Sequence, residues 1–333
     1  MDHFAVETWL QIFTLACTDG GYTGRSLSLA CQRMRAIVQP VHLQTVSLID
    51  EEKLYAFVRA LEVWSPPVTI RHLLIFTNPR VEEGEDTEEE LDNKGAKEVE
   101  VNYSKEQHTT AELQQSIDKV LAAAAPNVKT LVIQEPRYSL FSAKLVFPAL
   151  RDLTINEADF DFSPNPSHFP SLRRMHISSY FAGHTGDFWL ELAHFAPGLT
   201  HLRLSGVTHS TDVPSFLQVL LHISSDNPLA VSPDPEASAI AEKLLALRHV
   251  VVQPLDYQNK GLCGTGRVMH RRMMKELRSV AEASGRGKGV GKLRLMPKGR
   301  YYGFEDAWKD WLDVIEGGAG PWAAGEENDT SIA

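Results

Sequence analysis

One short apolar pattern recurs along the chain at a nearly constant interval, and it limits the fold more than any other feature. Written as proline-x-Φ-x-x-Φ-x-Φ, with Φ apolar, it begins at Pro126 with Val128, Leu131 and Ile133, and at Pro148 with Leu150, Leu153 and Ile155. It begins again at Pro170 with Leu172, Met175 and Ile177, and at Pro197 with Leu199, Leu202 and Leu204. The starts are 22, 22 and 27 residues apart. Two further copies lack the proline, Ile70-Arg71-His72-Leu73-Leu74-Ile75 and Leu247-Arg248-His249-Val250-Val251-Val252. Leu247 lies 48 residues after Leu199, close to two periods. Alternating apolar residues mark one short strand per copy. No copy can bury its apolar face alone, so the copies must stack.

The segments between copies carry helical spacing. Trp189, Leu192 and Phe195 share one face, as do Phe216, Leu217, Leu220 and Leu221, and Ile240, Ala241, Leu244 and Leu245. A period of this length is in the leucine-rich-repeat range. The usual ladder asparagine is missing, with Pro136, Ala158, Tyr180 and Val207 in its place, so the units are expected to be irregular. Phe304, Trp308, Trp311, Leu312 and Ile315 predict a last helix, over 304–315, able to cover an open end of the stack.

Ahead of the repeat lies a helical module. Val6, Trp9, Leu10 and Phe13 give one apolar face over about residues 4–16. Gly20, Gly21 and Gly24 place a loop over residues 18–24. Leu27, Ala30, Cys31, Met34 and Ile37 predict a second helix, ended by Pro40, in which Cys31 is a buried thiol. Residues 53–63 predict a further helix, and Thr109 with Glu112 a capping box for another.

The net charge of −10 is concentrated. Between Val81 and Glu100 stand ten acids and two lysines, and between Arg267 and Arg300 eleven basic residues and two acids. The acidic run predicts a disordered insertion over about 79–103. Three cysteines are too few for a disulfide framework, and no stretch has the length and hydropathy of a membrane span or a signal peptide. A soluble protein of the cytoplasm or nucleus is expected.

The N-terminal module resembles an F-box. The family's opening Leu-Pro-x-Glu-Leu-Leu-x-x-Ile-Phe helix corresponds to Phe4-Ala5-Val6-Glu7-Thr8-Trp9-Leu10-Gln11-Ile12-Phe13. Its Leu-Val-Cys-Lys-x-Trp-Arg segment corresponds to Leu29-Ala30-Cys31-Gln32-Arg33-Met34-Arg35. Over the rest of the chain the resemblance is to F-box proteins of mushroom-type fungi, through the Thr18–Gly24 loop, the irregular leucine-rich units and Asp310-Trp311-Leu312. Ala5 replaces the family's helix-starting proline, and Thr8 an apolar residue.

The resemblance implies a substrate-recognition adaptor of a Skp–cullin–F-box ubiquitin ligase. It would dock on the small S-phase-kinase-associated adaptor and hold a protein substrate on the repeats. The implied docking residues are Val6, Trp9, Leu10, Ile12, Phe13, Leu27 and Leu29. The alternative for each is ordinary core packing of the N-terminal helices. The fold expected is α/β, with an all-α F-box over 4–48 followed by a short irregular leucine-rich-repeat-like solenoid over 49–316 and a disordered tail over 317–333.

No catalytic, cofactor or metal constellation is read, and an enzyme is not expected. The run Gly285-Arg286-Gly287-Lys288-Gly289-Val290-Gly291-Lys292 lacks the first glycine and the final hydroxyl of a phosphate loop. The histidines show no ligand spacing, and His72, His201 and His249 fall at one repeat position. The alternatives to the adaptor are an F-box scaffold without a ubiquitination role, and a nucleic-acid-binding protein using Arg271, Arg272, Lys275, Arg278, Arg286, Lys288, Lys292 and Arg294. The last set also fits a solvated helix face and turn.

Overall fold

The structure is a computed structural model. It describes residues 4–63, 68–77, 110–135, 138, 140, 144–155, 169–178, 186–208, 212–223, 244, 246–256, 265–287 and 291–325. Three helices open the chain, α1 (Val6–Ala16), α2 (Tyr22–Ala30) and α3 (Gln32–Val38). There follow β1 (Thr45–Leu48), α4 (Glu51–Val63), β2 (His72–Phe76), α5 (Thr110–Ala124), β3 (Thr130–Gln134), β4 (Asp152–Ile155) and β5 (Arg174–Ser178). The second half contains α6 (Gly186–Phe195), β6 (His201–Val207), α7 (Asp212–Leu220), β7 (His249–Pro254), α8 (Thr265–Gly285), β8 (Lys292–Leu295), α9 (Phe304–Ile315) and a 3₁₀ turn (Gly320–Gly325).

All eight strands belong to one parallel sheet whose spatial order is the chain order. This corrects the expected fold. In place of an all-α F-box followed by a solenoid, the chain builds one eight-stranded parallel sheet alternating with helices, and only the α/β part of that expectation stands. The physical reason lies at the join. The side-chain amide of Gln44 donates to the carbonyls of Thr14 (2.5 Å) and Cys17 (3.1 Å), and Ser47 donates to Gly20 O (3.4 Å). Those bonds tie the N-terminal helices to β1, which pairs with β2 like any other strand.

The register explains the repeat. Leu73, Leu131, Leu153, Met175, Leu202, Val250 and Leu293 form one continuous row, and Ile75, Ile133, Ile155, Ile177, Leu204 and Val252 a second row two residues on. Both rows are buried against the helix layer. Each fully buried aliphatic side chain contributes about 1.5–3 kcal/mol, so every copy adds to the same core. Where the connections are short, aromatics fill the layer: Phe147 stacks on Phe169 at 5.5 Å, and Phe169 meets Phe195 edge-on at 5.7 Å.

The opposite sheet face is mixed. Its central row reads Ser47, Leu74, Val132, Thr154, His176, Arg203, Val251 and Arg294. Helix α9 covers its first half, with Ala307, Trp311 and Tyr302 packed on Leu74, Phe76 and Val132. The predicted span 304–315 matches α9, while of the tail expected to be disordered over 317–333 the described part forms a 3₁₀ turn seated against the sheet, Pro321 O accepting from Arg203.

Two further differences are local. The predicted second N-terminal helix is two helices, broken where Cys31 adopts extended backbone (φ −163°) and its Sγ accepts from Met34 N at 3.4 Å. Cys31 is therefore exposed, whereas Cys17 is buried. At the last strand, Ser284 of α8 accepts from Leu293 N (3.0 Å) and lies 3.5 Å from Leu293 O, on the edge of β8 away from β7. The acidic insertion, Thr109, Lys288 and most of the segment 240–245 lie outside the described residues.

Candidate functional site

Helix α1 has more apolar side chains than one buried face requires. Phe13 (3% exposed) joins Cys17, Met34, Ile37, Val38 and Val41 in a small core between the N-terminal helices. Trp9, Leu10 and Leu27 pack half-buried at its margin, with the rings of Trp9 and Phe13 5.5 Å apart. Val6, Ile12 and Leu29 are exposed. So the seven residues implied as a docking set divide into a core anchor, a half-buried border and an exposed group.

The sequence reading missed Phe4, Leu15 and Tyr22. Leu15 is 79% exposed, Tyr22 77% and Leu29 67%. Ile12 and Leu15, three residues apart, share a side of α1 turned away from the core. Their signal in the sequence was that α1 carries apolar residues on more than one side. Exposed apolar side chains concentrated on two neighbouring helices make a surface that a partner would cover favourably.

The positions of these helices are set by a tight approach. A Cβ built on Gly24 would stand 2.3 Å from His42 O, so only glycine lets α2 lie on the segment before β1. Asp19 accepts from Thr23 N (3.0 Å) and Thr23 Oγ1 (2.6 Å), holding the start of α2.

A second cluster lies between the mixed sheet face and the C-terminal segment. Arg203 donates to Pro321 O and to Gln253 Oε1 (3.0 Å), and its guanidinium lies 5.7 Å from the Tyr302 ring centre. His176 meets Tyr302 edge-on at 4.4 Å and bonds Ser205 Oγ at 2.9 Å. Burial, then the Arg203 charge, holds the His176 imidazole well below its ordinary value and so neutral. Burial and Asp310 push the Tyr302 phenol well up, and burial raises the Asp310 carboxyl against the pull of its Tyr302 bond. Beside this cluster a cavity of about 20 Å³, lined partly by Thr130, Asp152, Thr154 and Arg174, has room for one water. Apart from His176 Nδ1, which has no hydrogen-bond partner among the described residues, these groups bond one another and the backbone, and they fasten α9 and the 3₁₀ turn to the sheet.

The basic tract is split between two places. Arg271, Arg272, Lys275 and Arg278 are exposed on α8, while Lys292 and Arg294 stand on β8. Several of its cations are neutralised by neighbours, Arg272 by Glu276 (2.9 Å), Arg286 by Glu282 (3.5 Å) and Arg300 by Asp306 (3.2 Å). His201 and His249 stack at 4.6 Å in one row of the sheet, the row that also contains His72. Among the described residues no group of three His, Cys, Asp or Glu side chains could hold a metal ion, and no helix is long and apolar enough to cross a membrane.

No protein-family model, no curated protein and no solved structure matches this chain.

Proposed function

We propose that the protein is a non-enzymatic adaptor. Its N-terminal helices dock on the small S-phase-kinase-associated adaptor of a Skp–cullin–F-box ubiquitin ligase, and its sheet domain holds a protein substrate, in the cytoplasm or nucleus. The observation that carries this reading is the exposed apolar surface of Phe4, Val6, Ile12, Leu15, Tyr22 and Leu29, in the segment whose sequence resembles an F-box. Aliphatic and aromatic side chains already held on a packed helical support lose little entropy on binding and become the centre of an interface.

The test is capture of the purified small adaptor and cullin by the full chain, against Ile12→Asp plus Leu29→Asp. These exposed positions leave the Phe13 core intact. Capture by the wild type and loss in the variant is the expected result. No capture by the wild type overturns the reading. Capture without ubiquitin transfer to any co-purified protein reduces it to a scaffold.

A further inference from the structure

Immediately before each strand, the chain places a residue on the N-terminal rim of the sheet. From β2 to β7 these residues are Arg71, Lys129, Arg151, Arg173, Thr200 and Arg248. Their backbones run on from one another: Lys129 N donates to Arg71 O (2.7 Å), Arg151 N to Lys129 O (2.8 Å), Arg173 N to Arg151 O (3.0 Å), Thr200 N to Arg173 O (2.9 Å) and Arg248 N to Thr200 O (2.9 Å). Five of six adjacent positions along this rim are therefore cationic.

Neighbouring strands lie about 4.8 Å apart, so the row is about 24 Å long. Lys129, Arg151, Arg173 and Arg248 are exposed and Arg71 is half-exposed. Arg71, Lys129, Arg151 and Arg173 make no ion pair among the described residues, and Arg173 reaches the carbonyl of Gly198 at 3.0 Å. The one acid at the start of a strand here, Asp152, is already taken by Arg174. Holding like charges this close costs repulsion that a bound polyanion would relieve.

We propose that this rim is a docking site for an acidic segment of a protein partner. The proposal rests on the adaptor reading only in that an adaptor must hold a second protein. An extended chain rises about 3.3 Å per residue, so about seven residues span the row. Arginine forks suit carboxylates in two-point contact. Single-stranded nucleic acid is the weaker fit, because it needs aromatic platforms for its bases. Among the described residues the exposed aromatics, Phe4 and Tyr22, stand on or beside the N-terminal helices and not on the rim.

The test is fluorescence anisotropy of the full chain with a labelled peptide of about seven glutamates, the length that spans the rim. Arg151→Glu plus Arg173→Glu is expected to weaken binding about tenfold or more, and Arg151→Gln plus Arg173→Gln about threefold, as for a few partly screened charge contacts. Arg271→Glu plus Lys275→Glu on α8 is expected to leave it unchanged. Failure of the wild type to bind the peptide overturns the proposal, as does equal binding by the rim variants. An oligonucleotide that binds more tightly than the peptide, and loses affinity in the same rim variants, overturns the choice of a protein partner. Because adaptor capture is measured on Ile12 and Leu29, and peptide binding on Arg151 and Arg173, either reading can fail while the other stands.

Discussion

The hydroxyl of Tyr302 donates to Asp310 Oδ2 at 2.9 Å, joining the residue just ahead of α9 to the inner side of that helix above Val132 and His176. Both groups are mostly withdrawn from water, so the bond matters more through what its loss leaves behind than through its own strength. Tyr302→Phe leaves the Asp310 carboxyl buried without this donor, and it is expected to cost about 1–3 kcal/mol in urea unfolding. The same variant raises the Asp310 pKa further, because the Tyr302 bond is the largest of the influences that draw it down, ahead of the Arg203 charge. Carboxyl-carbon NMR titration reads that rise; no change in either measurement contradicts the description of this contact.

Acid is expected to weaken the fold through His72. Burial first, then Lys129 and Arg71, lower its pKa from 6.5 to about 4. A base whose folded pKa is depressed contributes its stability fully above the unfolded value, and loses it as the pH falls from about 6.5 towards about 4. The span is worth roughly 3 kcal/mol at about 1.4 kcal/mol per pH unit. Unfolding at about pH 4.5 and pH 7 checks this, and His72→Gln should shrink the difference; an undiminished difference would assign it elsewhere, with His176 the next group shifted the same way.

A phenylalanine-to-alanine and a leucine-to-serine change in α1 are expected to behave oppositely. Phe13→Ala empties the small N-terminal core and should cost about 3–5 kcal/mol. Leu15→Ser, on the exposed side, should stay within about 0.5 kcal/mol of wild type. Comparable losses at both positions would show that α1 is packed in some other rotation.

Gly24→Ala is expected to push α2 off the His42 backbone, at a cost of about 1–3 kcal/mol for an overpacked contact. A melt at unchanged temperature would mean that α2 can move away from His42 without loss.

Alkylation under native conditions should modify Cys31 quickly and Cys17 only on unfolding. Cys31 is exposed. Cys17 is buried, and burial with the nearby Asp19 charge pushes its thiol up to about 11, so little reactive thiolate forms at neutral pH. Peptide mapping over time reads the two rates, and early labelling of Cys17 would contradict its placement.

The helix-facing side of the sheet was legible because burial there selects one kind of residue. Leu131 and Ile133, and their counterparts on six other strands, sit at positions where anything polar would be costly. The other face was not legible. Thr154, His176 and Arg203 share its central row with Leu74 and Val132, because half of that face packs under α9 and the rest meets polar partners. Membership of β1 in the sheet was in fact written in the same spacing: Leu43, Val46 and Leu48 repeat the apolar positions of the other copies without the proline, but the segment directly follows the helical module and so was not counted with them.

At the candidate docking surface, pattern alone could not separate Phe13 from Ile12. Both are apolar and adjacent, and only the rotation of α1 against α3 decides which is covered. The break at Cys31 was invisible because a cysteine seldom caps a helix, and Leu27 to Ile37 keep helical spacing across it. The basic rim escaped for another reason. Its members are far apart in the chain, and only the strand register makes neighbours of Arg71, Lys129, Arg151 and Arg173.

The contact between Ser284 and the backbone of Leu293 bears on what the sheet can recruit. A strand added to a parallel sheet needs the free amides and carbonyls of the last strand as its template. By occupying Leu293, α8 works as a terminator, and Lys292 and Arg294 beside it discourage an incoming strand further. A chain that repeats one motif in register is otherwise an open-ended polymer in miniature, so the single hydroxyl of Ser284 helps keep this one at finite length.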